Sequence, residues 1–186
     1  MSRKIYGFDK CFNGTAHSNE DFKQLIGDAN NVYIFASNRF SPFGDADTEK
    51  FFHPIMKLQK RIDKISKGFE NVIGIHIRRT DNVVSILNSP DEKFFVRIDS
   101  LLENNPSQRF FLATDDNSVK NTYERRYGDH IATNRFDLSR NTLEGMENAV
   151  VDLWSLARCQ RIIGSSHSTY SICAADIFKH KLEIIE

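Results

Sequence analysis

From residue 30 to residue 186, short apolar runs alternate with helix-like patterns, and this alternation restricts the fold more than any other feature. The runs are Val32-Tyr33-Ile34-Phe35-Ala36, Val72-Ile73-Gly74-Ile75-His76-Ile77, Arg109-Phe110-Phe111-Leu112-Ala113-Thr114, a short stretch around Ile131, Arg161-Ile162-Ile163-Gly164 and Leu182-Glu183-Ile184-Ile185. A helix is predicted from about His53 to Lys67, with Pro54 near its first position. Its residues Ile55, Leu58, Ile62 and Ile65 step by three and four, which makes one buried stripe. Ser89-Pro90-Asp91-Glu92 reads as a capping box that opens the next helix, and Asn105-Pro106 closes it. Further helices are predicted over Asp116–Tyr127, Asn141–Arg158 and Ser166–Phe178. Strands separated by helices in this order predict an α/β fold, a Rossmann-like parallel sheet with helices on both faces. Residues 1–30 read as an irregular leader or the remnant of an N-terminal domain, and residues 31–186 as the Rossmann-like domain.

Composition removes several function classes. The 25 basic and 25 acidic residues cancel, so the chain lacks the long-range field of a nucleic-acid or anionic-membrane binder. No apolar run approaches the ~20 residues of a membrane span. The first residues, Met1 to Tyr6, lack the apolar region of a signal peptide. Cys11, Cys159 and Cys173 are far apart and show no CxxC spacing, which fits a reducing, cytoplasmic setting. There is no phosphate-binding GxxxxGK[ST] loop, no GxGxxG after a strand and no HxH or HExxH spacing. Asp45-Ala46-Asp47 sits among turn formers and reads as a loop, so neither a metal nor a cofactor is expected.

In an open parallel sheet, ligands bind beyond the carboxyl ends of the strands. Three segments sit there: Arg78-Arg79-Thr80-Asp81, Thr114-Asp115-Asp116, and Ser165-Ser166-His167-Ser168-Thr169. The planar guanidinium fork of arginine suits bidentate binding of phosphate oxygens, and Asp81 can orient one of the pair. The other helices carry acids in or just before their first turns. The helix after Gly164 has none before Asp176 and begins with hydroxyls instead, which fits either plain serine capping or an anion site. Together the two features point to a phosphorylated ligand, a nucleotide. Asp115 and Asp116 read as helix caps or as ligands of a ribose or base. Asp152 lies between Val151 and Leu153 on an apolar helix, and reads either as solvent-facing or as a carboxylate for the two N–H donors of a guanine edge. His76 reads as a core histidine or a ligand contact.

Gly74-Ile75-His76-Ile77-Arg78-Arg79-Thr80-Asp81, Leu112-Ala113-Thr114-Asp115-Asp116, Val151-Asp152-Leu153 and Ser165-Ser166-His167-Ser168-Thr169, in this order, resemble the α1,6- and protein O-fucosyltransferase group over about residues 70–180. The resemblance implies one half of a GT-B glycosyltransferase, the C-terminal nucleotide-sugar-binding domain. It implies inverting, metal-independent transfer of fucose from GDP-fucose to a sugar or glycan acceptor. It places His76, Arg78 and Arg79 on the diphosphate, with Arg78, Arg79 and Asp81 as the catalytic set and Asp81 bracing the arginines. It places Asp152 on guanine, Asp115 or Asp116 on the nucleoside, and Ser165, Ser166, Ser168 and Thr169 at the phosphate helix. Substitution of Arg79 by alanine is then expected to abolish transfer. The sequence departs from the group twice. Only 75 residues precede His76, without the upstream Gly-x-Gly-Asn-Arg motif, so the chain reads as the donor-binding half of a longer protein whose N-terminal acceptor domain is missing. The core fucosyltransferases also carry a glutamate base a few residues beyond the arginines, where Asn82–Leu87 has no carboxylate. The alternatives are a GDP-binding module inactive alone, and a nucleotide-sugar enzyme of another family.

Overall fold

The computed structural model describes residues 7–13, 22–35 and 52–186. The chain divides into two compact units, residues 1–47 and residues 48–186. In the first, strands β1 (Lys10–Asn13) and β2 (Val32–Phe35) pair in parallel, with helix α1 (Phe22–Ile26) between them in sequence. The Asp9 carboxylate accepts from the Asn30 and Asn31 amides at 2.8 and 2.9 Å, and Lys10 Nζ donates to the Leu25 carbonyl at 2.7 Å. The run at Val32–Phe35 was expected in the main sheet together with Ala36. Its strand pairs instead with Lys10–Asn13, inside the stretch read as an irregular leader. A short apolar run names a strand without naming its partner. Ala36 and Asp45-Ala46-Asp47 lie outside the described residues.

The second unit holds helix α2 (Met56–Ile65), strand β3 (Val72–Ile77), helices α3 (Val83–Asn88) and α4 (Asp91–Asn104), strand β4 (Arg109–Thr114), helix α5 (Asn117–Tyr127), strand β5 (Ile131–Thr133), helix α6 (Leu143–Ala157), strand β6 (Arg161–Ser165), helix α7 (Thr169–Phe178) and strand β7 (Leu182–Ile185). Five of these strands form one parallel sheet in the order β5-β4-β3-β6-β7. The chain leaves β3 toward one edge, then recrosses through α6 to the other side. The turning point of the topology therefore lies between β3 and β6, where such sheets hold their ligands.

Period-two alternation along β3 sorts the core into two layers. Ile73, Ile75 and Ile77 pack with Phe94 and Ile98 of α4 and Val119 and Tyr123 of α5. Val72 packs on the opposite face with α2, α6 and α7, where Trp154, Leu156 and Ala174 lie. Gly74 and His76 share that second face. A Cβ at Gly74 would meet Leu156 Cδ1 at 2.6 Å, and one at Gly164 would meet Ser171 Oγ at 2.4 Å. Two glycines thus let α6 and α7 sit directly on the sheet. All of β3 is buried, as a strand covered on both sides must be.

Local boundaries differ from expectation where tertiary contacts intervene. Helix α2 starts at Met56 with Ile55 before it, so Pro54 stands outside it. Ser89 does not cap α4. Its hydroxyl donates to the Ile185 carbonyl at 2.5 Å and accepts from the Ser166 amide at 2.8 Å, which ties α4 to the two strands on the far side of β3. The stretch Val83–Asn88, outside every predicted element, is helical and capped by the Asn82 side chain, which accepts from the Ser85 amide at 3.0 Å.

Candidate functional site

The turn after β3 is set by Asp115, which follows β4. One carboxylate oxygen accepts the Arg79 amide at 2.7 Å and the other accepts the Thr80 hydroxyl at 2.7 Å. Ser165, at the end of β6, accepts the Arg78 amide through its Oγ at 3.1 Å. The three strand ends are thereby laced together, and the alternation of β3 runs on through the arginines. Arg78 follows His76 to the α6 and α7 face. Arg79 follows Ile77 to the α4 face.

The two arginines consequently have different surroundings. Arg78 straddles the Asp81 carboxylate through Nε and Nη2 at 2.8 and 2.9 Å, with Asp115 Oδ2 at 3.5 Å from Nε. Arg79 bonds the Asp91 carboxylate at 2.6 Å and the Ser89 carbonyl at 2.8 Å, and lies over the Phe94 ring. Asp91 also accepts from the Tyr123 hydroxyl at 3.2 Å. Arg79 is therefore an internal tie between the turn and α4, and does not reach the cavity on the other face. The two guanidinia were expected to act together on a diphosphate; sheet geometry separates them.

On the α6 and α7 face a cavity of about 270 Å3 opens above β3 and β4. His76, Arg78 and Asp115 line it from the strand ends, Met146 and Asp152 from α6, and Tyr170 from α7. His76 Nδ1 is 2.7 Å from Ser171 Oγ, and the ring stacks on Tyr170 with centroids 4.7 Å apart. Burial pushes its pKa down to about 4, against the opposing pull of Asp115, so the imidazole is neutral at pH 7. The Tyr170 hydroxyl donates to the Ala149 carbonyl at 2.8 Å.

Asp152 is buried at the cavity wall rather than turned to solvent. Its Oδ1 accepts from Asn134 Nδ2 at 2.5 Å. The Asn134 carbonyl in turn accepts from Lys120 Nζ at 2.6 Å, and Lys120 is fully buried. Burial raises the Asp152 pKa to about 6, while the Asn134 amide and the charges of Lys120 and Arg61 restrain the rise. Asp152 thus reaches pH 7 largely ionised at the cavity wall.

The remaining expected residues divide by how they are used. Asp116 caps α5 by accepting from the Ser118 amide at 2.7 Å, and it does not line the cavity. Ser165 and Ser166 serve the packing of the strand ends, with Ser166 Oγ 3.1 Å from His167 Nδ1. Ser168 precedes α7, but its hydroxyl caps nothing and has no hydrogen-bond partner among the described residues, although it is buried. Thr169 is exposed. His167 takes a positive φ of 53°, and its carbonyl accepts from Asn82 Nδ2 at 2.8 Å. Asp81 is bonded by both Arg78 and Arg140, chiefly Arg140, which hold its carboxyl below the usual range. That makes it a brace and a poor proton acceptor.

Sequence reasoning missed Arg140, Asn134, Lys120, Tyr170 and Ser171. Arg140 and Asn134 come from the irregular segment between β5 and α6, where no period marks a face. Lys120 lies on a helix that also carries Arg125 and Arg126, where nothing local marks one basic residue as buried. The separation of Arg78 from Arg79 was available from the alternation already visible at Ile75, His76 and Ile77.

This placement predicts an asymmetry. Arg79→Ala leaves Asp91 and the Ser89 carbonyl without their cation and costs about 2–3 kcal/mol in urea unfolding. Arg78→Ala removes a pair with the half-exposed Asp81 and costs under about 1 kcal/mol. Equal losses would contradict it. A second expectation concerns pH. His76 binds its proton less tightly folded than unfolded, so its contribution to stability falls as pH drops from 6.5 toward about 4. Asp152 binds its proton more tightly folded, so its contribution rises as pH drops from about 6 toward 3.8. The two nearly cancel. Asp152→Asn removes the second, so between pH 7 and 4.5 the variant loses about 2 kcal/mol more stability than the parent. Parallel stability profiles would rule out a buried, titrating Asp152.

No family model and no curated protein matches the sequence. Solved structures match in fold. The chain aligns with NodZ alpha-1,6-fucosyltransferase soaked with GDP-fucose at TM-score 0.58 and 17% identity, over 81% of this chain and 52% of that one. It aligns with the fucosyltransferase NodZ from Bradyrhizobium at TM-score 0.52 and 16% identity, over 85% and 53%. It aligns with POFUT1 in complex with GDP at TM-score 0.53 and 12% identity, over 95% and 73%. The chain spans about half the length of both NodZ structures. Its parallel-sheet α/β architecture is the one found in these fucosyltransferases.

Proposed function

We propose that the chain is the donor-binding part of an inverting, metal-independent fucosyltransferase that uses GDP-fucose. The observation that carries this reading is the cavity above β3 and β4, which offers a buried carboxylate, Asp152, and a guanidinium, Arg78, in a fold similar to that of fucosyltransferases crystallised with GDP or GDP-fucose. Guanine presents two adjacent N–H donors, which suit the ionised Asp152. Uracil and adenine present no such pair. His76 and Tyr170 give the base an aromatic wall, and Asp115 stands near the ribose. Arg78 faces the phosphates.

In the reaction an acceptor hydroxyl attacks the anomeric carbon of fucose from the side opposite GDP. The bond from that carbon to the β-phosphate oxygen breaks, and negative charge gathers on the phosphate. Arg78 and the α7 N-terminus offset that charge without a metal. The acceptor is a sugar or glycan. Its proton goes to a base brought by the acceptor-binding domain, since Asp81 is held ionised by two arginines. The three cysteines are far apart in sequence and show no CxxC spacing, which suits the reducing cytoplasm as the site of action. Among the described residues no helix is long and apolar enough to cross a membrane. One observation favours a second reading, a GDP-binding module without transfer activity: Asp81 and Arg79 are both committed to internal pairs.

Calorimetric titration with GDP, GDP-fucose, UDP and ADP, with and without magnesium, tests the reading. GDP binds without regard to magnesium, outcompetes UDP, and loses at least about tenfold in Asp152→Asn. Equal binding of all three diphosphates, or binding that needs magnesium, would contradict it. Adding an acceptor then separates an enzyme from a module.

A further inference from the structure

Arg140 lies in the segment between β5 and α6, outside every regular element, yet that segment is built to present it. Asp137 accepts from the Ser139 amide at 3.0 Å and the Thr142 hydroxyl at 3.1 Å, and its carbonyl accepts from Asn148 at 3.1 Å. The Ser139 carbonyl packs so closely on α6 that a Cβ at Gly145 would meet it at 1.7 Å. Held this way, Arg140 lines the same cavity as Arg78. Its Nη1 is 2.6 Å from Asp81 Oδ2 and its Nη2 is 3.3 Å from Asp115 Oδ2.

Each carboxylate keeps other partners when Arg140 turns away. Asp81 already has two bonds from Arg78, and Asp115 has the Arg79 amide and the Thr80 hydroxyl. A guanidinium carries five N–H donors, and these two contacts take two of them. Arg140 is half exposed, so its ion pairs are weak and readily exchanged. Phosphate oxygens offer a guanidinium bidentate, charge-assisted bonds that are stronger than such a pair. Arg79, on the far face of the sheet, has no access to the cavity.

We propose that Arg140 is the second phosphate-contacting guanidinium of this cavity, held at its mouth by Asp81 and Asp115 and turning to the diphosphate of the ligand. The inference deepens the nucleotide reading above and rests on it for the identity of the diphosphate. It assigns to a loop residue the role that the adjacent arginines of β3 divide between function and folding.

The test titrates the full chain and its Arg140→Gln and Arg140→Lys variants with GDP, guanosine and inorganic pyrophosphate, after a thermal melt has shown the variants folded. Arg140→Gln weakens GDP and pyrophosphate roughly tenfold to a hundredfold, leaves guanosine unchanged, and flattens the salt dependence of GDP binding. Arg140→Lys keeps the charge without the fork and recovers part of the affinity. Unchanged GDP affinity in Arg140→Gln, or an equal loss for guanosine, overturns the proposal. Arg140-dependent binding of pyrophosphate without preference for GDP over UDP upholds the proposal and overturns the guanine reading. A parent chain that binds neither GDP nor pyrophosphate overturns both.

Discussion

Asp115 fixes the turn that leaves the central strand, and the site depends on that turn. Its two oxygens take the Arg79 amide and the Thr80 hydroxyl, while Ser165 takes the Arg78 amide. With the backbone pinned from both neighbouring strands, the strict alternation of β3 continues two residues past the strand. One arginine is delivered to the cavity and the other to the core side. An adjacent pair of identical residues thereby acquires two jobs. Arg78 lines the cavity, and Arg79 bolts the turn to α4.

Burial sets the chemistry of what remains. His76 and Asp152 share a layer roofed by α6 and α7, made possible by the missing side chains of Gly74 and Gly164. Low polarity there drives the imidazole toward its neutral form and raises the proton affinity of the carboxylate. Asn134 and the buried Lys120 keep that rise small enough for Asp152 to be charged at neutral pH. A charged acceptor inside an apolar wall gains more from a matching pair of donors than it would in water.

Much of the fold could be read from the chain because its strands are apolar on both faces and its helices carry clear stripes. The rim of strand ends follows from that order alone, and His76, Arg78, Asp115 and Asp152 fall on one cavity. Other features depend on partners distant in sequence. Ser89 looks like a cap until β6 and β7 bring Ser166 and Ile185 against it. Val32–Phe35 has the apolar character of a core strand, but Lys10–Asn13 is its partner. Arg140 sits in an aperiodic loop and meets Asp81 across 59 residues of sequence, so no local pattern could place it. Arg79 is different. Its position was implied by the period of the strand, and the pairing of two arginines obscured it.

In the function proposed above, a guanine nucleotide lies in the cavity between β3, β4 and α6 with its base at Asp152 and its phosphates at Arg78. A crystal structure of the chain with GDP tests this most directly. Guanine N1 and N2 are then expected within hydrogen-bonding distance of the Asp152 carboxylate, the base near the stacked rings of His76 and Tyr170, and a phosphate oxygen on Arg78. GDP bound elsewhere on the chain, or bound here with the base at Arg78 and the phosphates toward Asp152, would contradict it.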